Sequence, residues 1–303
     1  MNDFAKMESE CDDSFLKVRE CYHVWTPENF PLICSCDQDF KIMMNIFGLA
    51  AALFPELKII TFEIMSNHLH ALIVGDRIAI KNWFNLLKEM ISTNFKFKNI
   101  DWSAFTPGAN KIESLEELRN IIVYINRNGF LVRPEYSPFT YPWGANSLFF
   151  NDVAMKYSLM GAKEMPVKER RKYSHSHLTD NIRGVLSNFG YLQPAAYCDI
   201  KLGESMFRNA SHYLNKLTKN IESQKDIAAK LCERIFYNDD ELFSIVCSMS
   251  QKQYGASPAE VNPSAKVQLA KTMHFEYNAS AKQIQRILRL PQDVVRSLFP
   301  NLP

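Results

Sequence analysis

Hydrophobic patterning begins at Cys21, after a polar, acidic lead-in over residues 1–17. Cys21 to Trp25 predicts a first strand, and Phe40 to Leu53 a helix with Ile42, Ile46, Leu49 and Leu53 on one face. Two β-prone runs follow, Leu57 to Met65 and Leu69 to Val74, joined by a tight Ser66-Asn67 turn. Ile78 to Ser92 returns to helical spacing with Trp83, Leu86, Leu87 and Met90 inward, and Phe95 to Phe105 reads as extended. Ser114-Leu115-Glu116-Glu117 is a capping box. It opens a helix to Asn126 with one apolar stripe, Leu115, Leu118, Ile121, Ile122 and Ile125, and Asn128-Gly129 has the composition of a helix end.

The order βαββαβα predicts an α+β fold, a ferredoxin-like antiparallel sheet with helices on one side. After Pro142-Trp143-Gly144 the chain reads helical, including Ala229, Leu231, Cys232, Ile235 and Phe236, so an all-α C-terminal region is expected. Near the end, Ala265 to Tyr277 supplies Leu269, Ala270 and Met273. A second capping box, Ser280-Ala281-Lys282-Gln283, opens a helix with Ile284, Ile287 and Leu288 inward. Pro291 suits the first turn of the last helix, Gln292 to Phe299, with Val294, Val295, Leu298 and Phe299 inward. The expected division is a domain over 1–150, a helical linker over 151–225 and a helix-turn-helix-like module over 226–303.

A length of 303 residues with 47% hydrophobic content supports a substantial core and two domains. Seven cysteines without a regular framework point to a reducing compartment, and Cys34-Ser35-Cys36 to ordinary thiols. The longest apolar run, Ile46 to Phe54, is too short to span a bilayer, and an acidic start is unlike a signal peptide. A cytoplasmic, nucleoid-associated protein with no membrane partner is expected. Net charge is only +2, so phosphate binding would have to be local. From Gln251 onward, Lys252, Lys266, Lys271, Lys282, Arg286, Arg289 and Arg296 stand against Glu260, Glu276 and Asp293, a basic balance that favours DNA. Lys96 and Lys98 alternate with Phe95 and Phe97, which suits single-stranded nucleic acid or an edge strand. Arg170 and Arg171 belong to a further basic patch with Lys168 and Lys172.

His68-Leu69-His70 carries the candidate chemistry. In a strand the period of two puts both imidazoles on one face, where they can hold one divalent ion or polarise one phosphate. The copy at His175-Ser176-His177 lies in a polar stretch and reads as a loop. Tyr124 falls off the apolar stripe of its helix, and Asn128 follows one turn later on the same side. Asn128 can therefore supply an oxygen ligand to the same ion, or serve only as a helix-end residue, with waters and phosphate oxygens completing a shell that suits Mg2+ or Mn2+.

Taken in order, Met65-Ser66-Asn67-His68-Leu69-His70, Tyr124-Ile125-Asn126-Arg127-Asn128-Gly129 and Tyr141-Pro142-Trp143 resemble the single-tyrosine HUH transposases, and within them the REP-associated tyrosine transposases. The resemblance covers roughly residues 18–150, about half the chain. The chain departs from it at Gly129, where those proteins commonly carry proline, and in a shorter segment after Asn128. The resemblance implies that Tyr124 attacks single-stranded or hairpin DNA to form a 5′-phosphotyrosine, with His68, His70 and Asn128 holding the metal. A homodimer stays open as an assembly. Two other readings stand beside this one: a DNA-binding protein on the same fold that has lost nicking, and a metal-dependent hydrolase of a small phosphate.

Overall fold

The computed structural model describes residues 16, 19–132, 136, 140–219, 237 and 239–300. The positions Ala229, Leu231, Cys232, Ile235 and Phe236 lie outside them. The chain divides into two units, Met1–Gln224 and Lys225–Pro303. It is α+β, with a four-stranded antiparallel sheet and helices, a small second sheet, and a mostly helical C-terminal region.

The main sheet is built from β1 (Cys21–Trp25), β2 (Lys58–Ile64), β3 (Leu69–Val74) and β4 (Gly108–Lys111), in the order β2-β3-β1-β4. Between β1 and β2 runs α1 (Asp37–Ala52), and between β3 and β4 runs α2 (Arg77–Asn94). Both pack on one face, where Phe47 of α1 stacks on Phe62 at 4.2 Å and meets Trp83 of α2 edge-on at 5.5 Å. The opposite face is covered by α3 (Leu115–Val132), whose Gly129 N–H reaches Glu63, the neighbour of Phe62 on the other side of β2. Helices on one side only is therefore corrected: the sheet is sandwiched. Every residue of β3 and all but the first of β2 are buried, as a strand covered on both faces requires.

Two further expectations change locally. Phe95–Phe105 is not extended. It forms short 3-10 turns at Lys96–Lys98 and Trp102–Ala104, with Asn99 left-handed, and buries Phe95 and Phe105 as anchors. The tyrosine helix does not stop at Asn128-Gly129 but continues to Val132. At its start the Ser114 hydroxyl accepts from Glu117 N–H, and the Glu117 carboxylate takes the N–H of Glu113.

Residues 151–219 are not a helical linker. They contain α4 (Asp152–Leu159), β5 (Lys163–Glu164), α5 (Val167–Ser174), β6 (Leu186–Asn188), β7 (Tyr191–Leu192), α6 (Ile200–Ser205) and α7 (Ala210–Lys219), with β5-β6-β7 forming the second sheet. This segment completes the first unit. Asp199 N–H donates to Ile59 O on β2 (2.8 Å), Leu192 N–H to the Asn45 side chain (2.8 Å), and Arg119 of α3 to Met206 O (2.6 Å).

The second unit contains α8 (Asp239–Tyr254), α9 (Pro263–Tyr277), α10 (Ala281–Leu288) and α11 (Gln292–Leu298). Asn262 caps α9 with Pro263 in its first turn, and Ser280 and Gln283 form the expected capping box on α10. Leu269, Ala270, Met273, Ile284, Ile287, Leu288, Val295 and Phe299 are buried as their spacing predicts, whereas Val294 and Leu298 are half-buried. Among the described residues no helix is long and apolar enough to cross a membrane.

Candidate functional site

The face of the sheet beneath α3 gathers an unusual set of side chains. Strand alternation and the pairing of Trp25 with His70 and His23 with Leu72 put His23 and His70 on that face together. His68 enters it just before β3, and its ring centroid lies 5.2 Å from that of His70, nearly perpendicular. The Tyr124 ring stands edge-on to both neighbours, 5.7 Å from His70 and 6.3 Å from His23. The sequence brought out His68, His70 and Tyr124 and missed His23. His23 Nε2 lies 3.1 Å from His70 Nδ1, so one imidazole N–H donates to the other's lone pair. The signal for His23 was present only as an off-type polar residue in an apolar strand, and its partner lies 47 residues away.

All of these groups are covered: His23 and His70 are fully buried, Tyr124 is 4% exposed and His68 8%. Burial therefore pushes all three imidazoles below their ordinary range, His70 to about 3, and each is neutral at physiological pH. The tautomer of His68 is set by its neighbour. The Asn67 amide N–H donates to the carbonyls of Glu28 and Phe30, which leaves the Asn67 Oδ1 to accept from His68 Nδ1–H at 2.8 Å. The lone pair of His68 is then on Nε2, as in metal-binding histidines whose other nitrogen is tied down.

Asn128 sits one turn beyond Tyr124 and is half-buried. The side chain drawn fully inward is instead Asn126, on the other side of the helix. It accepts from the Thr61 hydroxyl and donates to Tyr213 OH at 2.8 Å. Tyr213 OH in turn donates to Asn146 Oδ1 at 2.6 Å, and Asn146 Nδ2 returns to the Asn126 carbonyl at 2.7 Å. This closed network locks α3 to β2 and α7. Asn126→Ala should cost about 3 kcal/mol, because it leaves the buried Thr61 hydroxyl without its acceptor and takes one of two partners from the Tyr213 hydroxyl. Denaturant unfolding measures it, and a loss near zero would show that water replaces the amide.

Among the described residues no group of three or more His, Cys, Asp and Glu side chains forms a metal site. The imidazoles that share this face are those of His68 and His70, their ring centroids 5.2 Å apart. Glu63, opposite His70 on β2, does not add a charge. Its carboxyl is 1% exposed and pushed well above the usual carboxylate range by burial, partly offset by the N–H of Gly129 at 2.9 Å. The His68 Nε2 lone pair, with Nδ1 tied to Asn67, fits a divalent ion as one ligand of a larger shell, and manganese better than oxygen-seeking magnesium.

The expected DNA-contacting residues fall into exposed and internally engaged groups. Lys96 is exposed. Lys98 is engaged internally, with Nζ 2.8 Å from both Asp39 and the Ser35 hydroxyl. Arg170 is buried and donates to Ile182 O at 2.7 Å, so it is a structural residue. Arg171 forms a two-pronged pair with Asp180 at 2.8 and 2.6 Å, which neutralises its charge. In the second unit Lys282, Arg289 and Arg296 are exposed, while Arg286 pairs with Asp239 at 2.7 Å. No family model, curated protein or solved structure matches this chain.

Proposed function

We propose that this chain cleaves and rejoins single-stranded DNA through Tyr124, in the manner of the single-tyrosine HUH transposases it resembles. The observation that carries the reading is the Tyr124 ring standing over the neutral imidazoles of His70 and His23, with His68 on the same face. The sheet order β2-β3-β1-β4 with its two crossover helices supports the ferredoxin-like reading that the resemblance implies. A phenol with an ordinary pKa of about 10 is a weak nucleophile, and Tyr124 gives up its proton to solvent as its oxygen attacks phosphorus. The Tyr124 oxygen then bonds to the phosphorus, and the 3′-oxygen of the preceding nucleotide leaves and takes up a proton. A 5′-phosphotyrosine and a free 3′-hydroxyl result, and attack by a hydroxyl of another end reverses the step. A manganese or magnesium ion on His68, His70 and Asn128 would supply charge stabilisation to the phosphate. Lys282, Arg289 and Arg296 fit a helix-turn-helix-like DNA contact, and a cytoplasmic, nucleoid-associated location follows from the reading.

The burial of His70 and Tyr124 favours a second reading, a DNA-binding protein on this fold that no longer nicks. One experiment separates the two. Incubated with Mn2+ and a broad single-stranded oligonucleotide library, the protein should form a denaturation-resistant adduct. Tyr124→Phe should abolish that adduct and leave DNA binding within about twofold, since only the attacking oxygen is lost. DNA affinity without any adduct across the library would select the binding-only reading.

A further inference from the structure

Between α4 and the β6–β7 hairpin lies an aromatic cleft of about 200 Å3, lined by Tyr141, Pro142, Tyr157, Phe189, Tyr191 and Pro194. Two of its walls face solvent. Tyr157 is 56% exposed and Phe189 49%, with their rings 5.6 Å apart.

Phe189 is in a place that the turn does not ask for. Asn188 pairs with Tyr191, so Phe189 and Gly190 are the two central residues of a tight hairpin, and both have positive φ, 55° and 87°. Glycine adopts that conformation freely and asparagine tolerates it, but a bulky aromatic residue does so rarely. Nor is the ring needed to hold the hairpin down. The Asn188 side chain already ties the turn to the end of α4, donating to the carbonyls of Ser158 (3.2 Å) and Met160 (3.1 Å). Gln193 braces it from behind through Asn188 O at 2.8 Å. A strained aromatic residue, exposed beside a second exposed aromatic at the mouth of a cleft, is the arrangement of a stacking platform. A cation stands at the hairpin tip. A Cβ on Gly190 would meet the Lys41 ammonium at 3.7 Å, and Lys41 has no ion pair among the described residues.

We infer that this cleft takes an unpaired base of single-stranded DNA stacked on the exposed Tyr157–Phe189 pair, with Lys41 on the adjoining phosphate. The inference rests on the reading of the chain as a single-strand DNA protein, and it adds a base-holding site whose two stacking residues, Tyr157 and Phe189, lie outside the resemblance.

The test uses the full chain, fluorescently labelled oligothymidylate and oligoadenylate, and the matching duplex. Phe189→Asn puts a better turn former at the strained position, so the melting temperature should hold or rise while single-strand affinity falls about tenfold. Tyr157→Gln should lose a similar factor. Lys41→Gln should lower the slope of log affinity against log salt by about one phosphate contact. Duplex affinity should not change in any variant. Phe189→Asn with unchanged single-strand affinity overturns the inference, whether or not the melting temperature moves. If such a variant still forms the Tyr124 adduct, the base site fails alone. If the unmodified protein binds no single strand at all, the base site and the proposed function fail together.

Discussion

Gly129→Pro is expected to abolish the cooperative unfolding of the first unit, although proline is the residue that the resembling transposases commonly carry there. Three losses coincide. Proline inside α3 costs about 3 kcal/mol through its ring and missing donor. Here the lost N–H is the one that satisfies the buried Glu63 carboxyl at 2.9 Å, worth a further ~1–3 kcal/mol. There is also no room: even a Cβ at Gly129 would lie 2.3 Å from the Tyr141 ring and 2.5 Å from Glu63 Oε1. The sum matches the whole stability of an ordinary domain, about 5–15 kcal/mol. Gly129→Ala keeps the donor and should lower stability by about 2–3 kcal/mol through overpacking alone. A folded Gly129→Pro protein with an unchanged thermal transition would mean that the chain ends α3 earlier.

The second large effect is on acid stability. His23, His68 and His70 stay neutral in the fold but take up protons when unfolded, below their ordinary value of 6.5. Their stabilising contribution is full above that value and is lost as pH falls. Glu63 works the other way. It keeps its proton in the fold and loses it when unfolded above 4.5, so its contribution is full below 4.5 and is lost as pH rises. Between pH 6 and pH 5 the histidines outweigh it by about two protons, and stability should fall by about 2.5 kcal/mol. Glu63→Gln removes the opposing term, and the loss over the same interval should steepen to about 3.5 kcal/mol. Denaturant titrations in chelator at both pH values measure both slopes. A flat profile would show that the imidazoles are solvated.

The elements that carry periodicity or caps were legible in the chain: β1, β2, β3, α1, α2 and the last three helices. So was the side of α3 on which Tyr124 lies, because one residue off an apolar stripe can still face a wide sheet. What escaped were features set by distant pairing. His23 matters because β1 lies beside β3, and Glu63 because β2 lies under Gly129; no local pattern announces either. The strands Lys163–Glu164 and Tyr191–Leu192 have only two residues each, too few for a period to show. Arg170 and Lys98 looked like phosphate ligands by charge alone, yet internal acceptors claim both.

The tie between Asn126 and Tyr213 also bears on how the protein is made. The two are 87 residues apart in the chain. At translation rates of about 5–20 residues per second, α3 emerges roughly 4–17 s before the helix that seals it. During that interval the nascent chain carries Asn126 and Thr61 without their closing partner, and the first unit cannot finish folding on the ribosome until residue 213 is free. A fragment ending near residue 150 would stay in that incomplete state, with the amide of Asn126 lacking the Tyr213 hydroxyl that it meets in the finished unit.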